Sequence, residues 1–230
     1  MKINSYSNVI KANYQNSPAN LPIAEKMTSQ EKGLEQGVEN TEDAKNLINV
    51  ADSSLDNVTE SLTRIKELSV QASNGILTND DKSIIQDEIN SLKNDISDTL
   101  RNTEFNTNRL FNGFNGNIQT GANENQSENL TIENTSLDTL GIENFDVTSD
   151  FNIEQIDEAI EMVNEQRSNL GAQQNGFTRN INSNQIAREN ILSARNSLDE
   201  DVESKIMELK QSQILDTYKN AMQVKEMDQE

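Results

Sequence analysis

Residues 34–72 read LEQGVENTEDAKNLINVADSSLDNVTESLTRIKELSVQA, and their spacing decides the fold. Apolar or small side chains recur at Leu34, Val38, Thr41, Ala44, Ile48, Ala51, Leu55, Val58, Leu62, Ile65, Ser69 and Ala72. The steps alternate between three and four residues almost without a break. That rhythm is the sign of a helix presenting one narrow seam to partner helices. Pro22 suits its first turn and Asn74-Gly75 its end. A helix over 24–73 would be about 75 Å long at ~1.5 Å per residue. Gly33 and Gly37 weaken its opening turns.

Outward from this stretch the pattern repeats. Thr78-Asn79-Asp80-Asp81 supplies capping residues and early acids for a second helix, with a stripe of Ile85, Ile89, Leu92, Ile96 and Leu100. It runs to about Thr103, and Asn106-Thr107-Asn108 reads as a break. Between 112 and 150 glycines punctuate the chain. Ile118-Gln119-Thr120 and Asn129-Leu130-Thr131-Ile132-Glu133 alternate as short strands of a β-hairpin. Asn152 with Gln155 forms a capping-box-like start. A third seam then follows Ile156, Ala159, Val163, Gln166, Leu170, Gln173, Phe177, Ile181, Asn184, Ala187, Ile191, Ala194, Leu198 and Val202, extending toward Ile206 and Leu209. A further helical stretch covers 211–224. Gln and Asn at seam positions fix register.

The predicted fold is mainly α: an elongated antiparallel helical bundle or coiled-coil rod with a small β-hairpin insertion. Its divisions are a polar segment 1–21, N-terminal helices 22–111, the hairpin insertion 112–150, a long returning helix 151–209 and a C-terminal segment 210–230. The hairpin is expected at or near the far end of the rod.

Composition narrows the function. A net charge of −20 repels nucleic acid and anionic lipid, so neither is expected as a partner. Hydrophobic residues make up 33%, too few for a thick core but enough for helices that each bury one stripe. With no His and no Cys there is no imidazole base, thiol nucleophile, disulfide or Cys/His zinc site. Neither GxGxxG nor GxxxxGK[ST] occurs. Carboxylate pairs such as Asp80/Asp81 and Asp199/Glu200/Asp201 are read as solvated charge, not as metal ligands. No run of about 18 apolar residues suggests a membrane span. No apolar leader follows Met1-Lys2-Ile3-Asn4. No cofactor, metal or catalytic residue is expected. Periodicity alone leaves open an isolated bundle that binds nothing in particular.

Several motifs, in order, resemble those of one family. Residues 62–75 (LTRIKELSVQASNG), 85–89 (IQDEI), 102–106 (NTEFN) and 109–113 (RLFNG) are similar to the N-terminal helical region of bacterial flagellins. Residues 23–27 (IAEKM) look like the start of that block, and 118–126 (IQTGANENQ) like the family's hairpin. Residues 166–175 (QRSNLGAQQN), 190–195 (NILSAR) and 213–215 (QIL) resemble the C-terminal helical signature. The resemblance covers about 21–224.

It implies a secreted, non-enzymatic structural subunit of the bacterial flagellum. Such a subunit is exported unfolded through the flagellar type III channel and self-associates into a filament that drives motility. The helical rod corresponds to the family's D1 domain, and no outer variable domains are expected. Beyond other copies of itself, the implied partners are a flagellar export chaperone and the vertebrate innate receptor TLR5. The positions matching the receptor-contact residues are Arg64, Leu68 and Glu88; rod packing explains the same residues equally well. Two departures bear on the family's D0 helices. Only about twenty polar residues precede the matching block, and the chain closes on Lys225-Glu226-Met227-Asp228-Gln229-Glu230 where the family is usually apolar. Burying Glu226, Asp228 and Glu230 unpaired would be costly. The alternatives are therefore a hook–filament junction protein, or a non-polymerising flagellin-like protein that binds flagellin, its chaperone or a regulator.

Overall fold

Thr78 shows how closely local chemistry sets the elements. Its hydroxyl accepts from the Asp81 N–H at 3.2 Å, and the Asp81 carboxylate accepts from the Thr78 N–H at 2.9 Å. This reciprocal box opens a helix over Asn79–Asn102, which Thr103 closes. In the computed structural model, which describes residues 20–227, the elements are α1 (Asn20–Ala72), α2 (Asn79–Asn102), β1 (Glu104–Phe105), β2 (Asn108–Arg109), β3 (Asn112–Gln119), β4 (Ser127–Asn134) and α3 (Glu154–Met227). The fold is mainly α with two small antiparallel strand pairs. Residues 1–19 and 228–230 lie outside the described residues, as do the side chains of Asn20, Leu21, Val202, Ile206 and 216–227. Of the expected polar segment 1–21, all but Asn20 and Leu21, which open α1, therefore lies outside the described residues, as do the side chains of the acidic C-terminal residues.

The chain divides into two units. One is Gly37–Ser183; the other takes the described residues up to Gln36 and from Asn184 onward. In the larger unit the three predicted stripes share one core. Ile48, Ala51, Leu55, Val58, Leu62 and Ile65 of α1 meet Ile85, Ile89, Ile96 and Leu100 of α2, and Ile156, Ala159, Val163, Leu170 and Phe177 of α3. Each large side chain so buried contributes about 1.5–3 kcal/mol. Seam hydroxyls are satisfied within α1: Thr41 donates to the Gly37 carbonyl at 2.6 Å and Ser69 to the Ile65 carbonyl at 2.7 Å.

Four features depart from the sequence reading. The break at Asn106-Thr107-Asn108 is a hairpin turn: Phe105 pairs with Asn108, and both Asn106 (φ 47°) and Thr107 (φ 67°) are left-handed. Such a two-residue turn needs both positive φ values. The box expected between Asn152 and Gln155 is replaced by bonds to Glu154, the first residue of α3. Asn152 Oδ1 accepts from the Glu154 N–H at 3.0 Å, and its Nδ2 donates to Glu154 Oε2 at 3.2 Å. α3 runs without interruption past 209–211, so the further helical stretch is its continuation.

The fourth departure concerns 112–150, where the hairpin ends at Asn134 and the rest is a loop built into the core. Leu130 and Ile132 of β4, together with Leu140, Ile142, Phe145 and Val147 of the following loop, belong to the core. That loop is pinned to α2. Lys93 donates to the Glu143 and Phe145 carbonyls, while the Gln86 side chain accepts from the Val147 N–H at 2.8 Å and donates to the Phe145 carbonyl at 3.4 Å. Burial holds the Lys93 ammonium below its ordinary pKa, against the pull of Asp146 and Glu143.

Candidate functional site

A protein built of seams works through its faces, and three are well defined. The first lies along α1 and α2. Arg64 projects from the outer side of α1, because Leu62 and Ile65 take the core positions on either side. Its Nη1 donates to Glu67 Oε2 at 2.9 Å, while Nη2 and Nε donate to Glu88 Oε1 at 2.9 and 3.2 Å. The two carboxylates raise the Arg64 pKa, chiefly through the Glu67 and then the Glu88 hydrogen bond. Arg64 and Glu88 are half exposed, so the pair contributes little stability but presents an oriented charge. Leu68, one turn further, is 2% exposed and part of the core. Thus two of the three expected receptor-contact residues are joined at the surface, and the third lies beneath it.

The second face is the join of α1 and α3. Lys66 pairs with Asp157 at 2.5 Å, Arg167 with Asp52 and Asp56 at 2.8 and 2.7 Å, and Gln174 donates to Asn49 at 2.6 Å. Numbers rise on α3 as they fall on α1, so these helices are antiparallel here. The Arg167 pKa is raised, first by its bond to Asp52. The hairpin docks beside this join. Asn40 of α1 donates to the Gln119 carbonyl at 3.0 Å. A β-carbon on Gly37 would sit 2.6 Å from the Thr120 carbonyl oxygen, so the hairpin end rests directly on helix backbone.

On the other side, the Gln173 side chain of α3 accepts from the Thr131 N–H at 2.9 Å and donates to the Thr131 carbonyl at 3.0 Å. Gln166, one heptad earlier, accepts from Thr135 at 2.7 Å and donates to the Glu133 carbonyl at 3.2 Å. The two amides act as a substitute strand along the free edge of β4. Glu128 completes the clasp by accepting from Asn180 over Gly176. Sequence reasoning saw Gln166 and Gln173 only as polar seam residues. Their heptad spacing was the signal, but what they hold depends on where the hairpin docks.

The third face is apolar and belongs to α3 in the smaller unit. In the larger unit the seam is closed: Phe177 is 0% and Ile181 8% exposed. Further along the same stripe Ile191 and Leu198 are half-buried, and Leu209 is 55% exposed. Ile186, Met207, Ile214 and Leu215 are exposed as well. Ala24 and Leu34 of α1 are buried in this unit, which is joined by charge as well. Glu31 of α1 takes Arg195 at 3.0 Å and lies 3.9 Å from Arg188, which reaches Glu35 at 3.0 Å.

Among the described residues no cluster of acids is arranged to hold a metal ion, and no helix is long and apolar enough to cross a membrane. The clefts beside β4, of about 270 and 300 Å³, are lined by Glu133, Gln166 and Asn169, with Gln166 already committed to the clasp.

Residues 12–116 match the bacterial flagellin N-terminal helical region, and residues 153–230 match the bacterial flagellin C-terminal helical region. The chain is 33% identical over 213 residues to a flagellin of Halalkalibacterium halodurans, covering 89% of this chain and 78% of that one. It is 32% identical over 218 residues to the flagellar filament 33 kDa core protein of Treponema phagedenis, covering 85% and 76%. The crystal structure of Bacillus cereus flagellin superposes with a TM-score of 0.56 at 25% identity, covering 64% of this chain and 88% of that one. A putative flagellar hook-associated protein from Vibrio parahaemolyticus shares the fold, with a TM-score of 0.63 at 14% identity over 76% and 95% of the two chains.

Proposed function

This chain belongs to the bacterial flagellin family, and from that premise we propose how it works: it is a secreted structural subunit of the flagellar filament, acting by self-association of its helices. The observation that carries this is the apolar stripe of α3, which is sealed inside one molecule as far as Ile181, half-buried at Ile191 and Leu198 and open at Leu209, with Met207, Ile214 and Leu215 exposed beside it. An apolar stripe in helical register, left uncovered in a single chain, is what a neighbouring copy covers. The test is incorporation. Concentrated protein, alone and seeded with filament fragments, is viewed by negative-stain microscopy, and sheared filaments are probed for the chain. Absence from both would overturn the reading.

The remaining partners rest on the same faces. A flagellar export chaperone would cover Met207, Leu209, Ile214 and Leu215 before assembly, and would compete with filament growth in a sedimentation assay. Export of an unfolded chain through the type III channel suits a sequence without Cys, since no disulfide resists unfolding. For TLR5, the oriented Arg64–Glu88 pair is the recognisable feature, with Leu68 supporting it from below. Arg64→Ala should abolish receptor signalling while leaving helical circular dichroism unchanged; retained signalling would exclude that contact. The family is structural, and a chain with no His and no Cys supports the inference that no enzymatic activity resides here.

A second reading draws on the fold shared with the Vibrio parahaemolyticus protein. A hook–filament junction protein would label only a band at the hook, whereas a filament subunit labels along the filament.

A further inference from the structure

The chain contains four Asn-Gly pairs, at 74–75, 112–113, 115–116 and 175–176. Chemically they are equivalent. In each, the glycine nitrogen is one residue beyond an amide carbon and meets the least steric hindrance any residue can offer. Their surroundings differ, and we infer from them that Asn74 is a site of spontaneous modification, converted to aspartate and isoaspartate through a cyclic imide.

The reaction needs the backbone nitrogen of the glycine to reach the asparagine Cγ, which neither a helix nor a paired strand permits. Asn175 lies within α3, and its Gly176 is buried, with the Glu128 carboxylate 2.8 Å from where a β-carbon would stand. Asn115 and Gly116 are held in the β3–β4 ladder opposite Thr131 and Leu130, with the Phe114 ring folded over Gly116. A β-carbon on Gly113 would, as at Gly75, meet nothing within 4 Å, but Asn112 is paired with Asn134 at the end of the same ladder and Gly113 is held at φ 84° within β3, so the backbone there is fixed.

Asn74 is different. It sits in the exposed turn between α1 and α2, outside both helices. A β-carbon on Gly75 would meet nothing within 4 Å, so a ring can form there without displacing a neighbour. The Ile76 N–H donates to Asn74 Oδ1 at 3.3 Å, which turns the side-chain amide forward over the Gly75 peptide. That donor also lies where negative charge develops on Oδ1 as the nitrogen adds, stabilising the tetrahedral intermediate.

The steps balance with water alone. The Gly75 nitrogen gives up its proton to solvent and bonds to Asn74 Cγ. The Cγ–Nδ2 bond breaks, and Nδ2 leaves with a solvent proton as ammonia. Water then opens the imide. Cleavage of the bond between Cγ and nitrogen restores the normal peptide with an aspartate. Cleavage of the bond between the main-chain carbonyl carbon and nitrogen leaves an isoaspartate, which routes the backbone through one additional methylene. Either product places a carboxylate just after the C-terminal end of α1, where the helix dipole disfavours it. Isoaspartate also displaces the turn bond from the Leu77 N–H to the Asn74 carbonyl, 3.1 Å, beside a side chain that packs on the core.

The experiment incubates the full chain at mildly alkaline pH and follows each Asn-Gly peptide by mass spectrometry, with isoaspartate detected by enzymatic methylation. The folded protein should convert at Asn74 while the other three sites keep their amides; the urea-unfolded protein should convert at all four at similar rates. Gly75→Ala, with unchanged helical circular dichroism, should reduce conversion at Asn74 to the level of the protected sites. Conversion of the folded protein at Asn112, Asn115 or Asn175 as fast as at Asn74, or undiminished conversion in Gly75→Ala, would overturn the assignment.

Discussion

At Gly37 a single hydrogen atom decides whether the hairpin can dock. The Thr120 carbonyl and the Gly121 Cα lie 2.6 and 2.9 Å from the position a β-carbon would take, and both belong to backbone that cannot swing aside. In the sequence this glycine reads only as a weakness in an otherwise good helix, costing up to about 1 kcal/mol against Ala. The docked hairpin reverses that balance. Gly37→Ala should lower stability by roughly 1–3 kcal/mol in urea unfolding, because overpacking exceeds the gain in helix propensity. A stabilised variant would mean the hairpin is not held at that distance. Thr107 illustrates the opposite case: its surroundings announced a break, but not that a β-branched residue would take a turn position at φ 67°, to which it is poorly suited.

At the scale of the element, α2 was the most legible part of the chain and the hairpin the least. The start and end of α2 and most of its stripe followed from Thr78, Asp81 and a strict apolar period, all of them local signals. Hydrogen bonds from the Thr78 hydroxyl and then from its N–H hold the Asp81 carboxyl below its ordinary pKa. A carboxylate depressed on folding binds fewer protons folded than unfolded. Its contribution is therefore complete above the unfolded value and is lost as pH falls through the folded one. Thr78→Ala should cost about 1 kcal/mol at neutral pH and should flatten the acid limb of the stability curve, as read by chemical denaturation at several pH values.

The hairpin could be found from its alternation, but its docking could not, since Asn40, Gln173 and Asn180 meet it from far along the chain. Gln173→Leu removes both bonds to Thr131. It should cost about 1 kcal/mol and speed exchange of the Thr131 amide hydrogen, and by uncovering the β4 edge it should raise the tendency to form β-rich aggregates. Unchanged exchange at Thr131 would show that the clasp does not persist in solution.

For the whole molecule, the period of three and four identified three long stripes but could not say where each is covered. Burial depends on partners, and a seam reads the same whether its partner is the same chain or another copy. That is why Leu55, Ile89 and Leu170 are closed into a core while Leu209 stands open, although all fit the same rhythm. It is also why the expected receptor triad divides: the family resemblance set Leu68 beside Arg64, but the sequence did not tell that its side chain turns inward. The distinction has a consequence that can be measured. Replacing Leu209 and Ile214 by Glu adds charge to exposed positions only, so the isolated chain should keep its helical spectrum and its unfolding midpoint. Filament incorporation should fail, because those carboxylates would be buried unpaired against a neighbour. The same pair of changes on the core side, at Leu55 and Ile89, should unfold the chain itself. If the Leu209/Ile214 variant instead polymerised normally, the open end of the α3 seam would not be an assembly surface, and self-association would have to use the charged faces of α1 and α2.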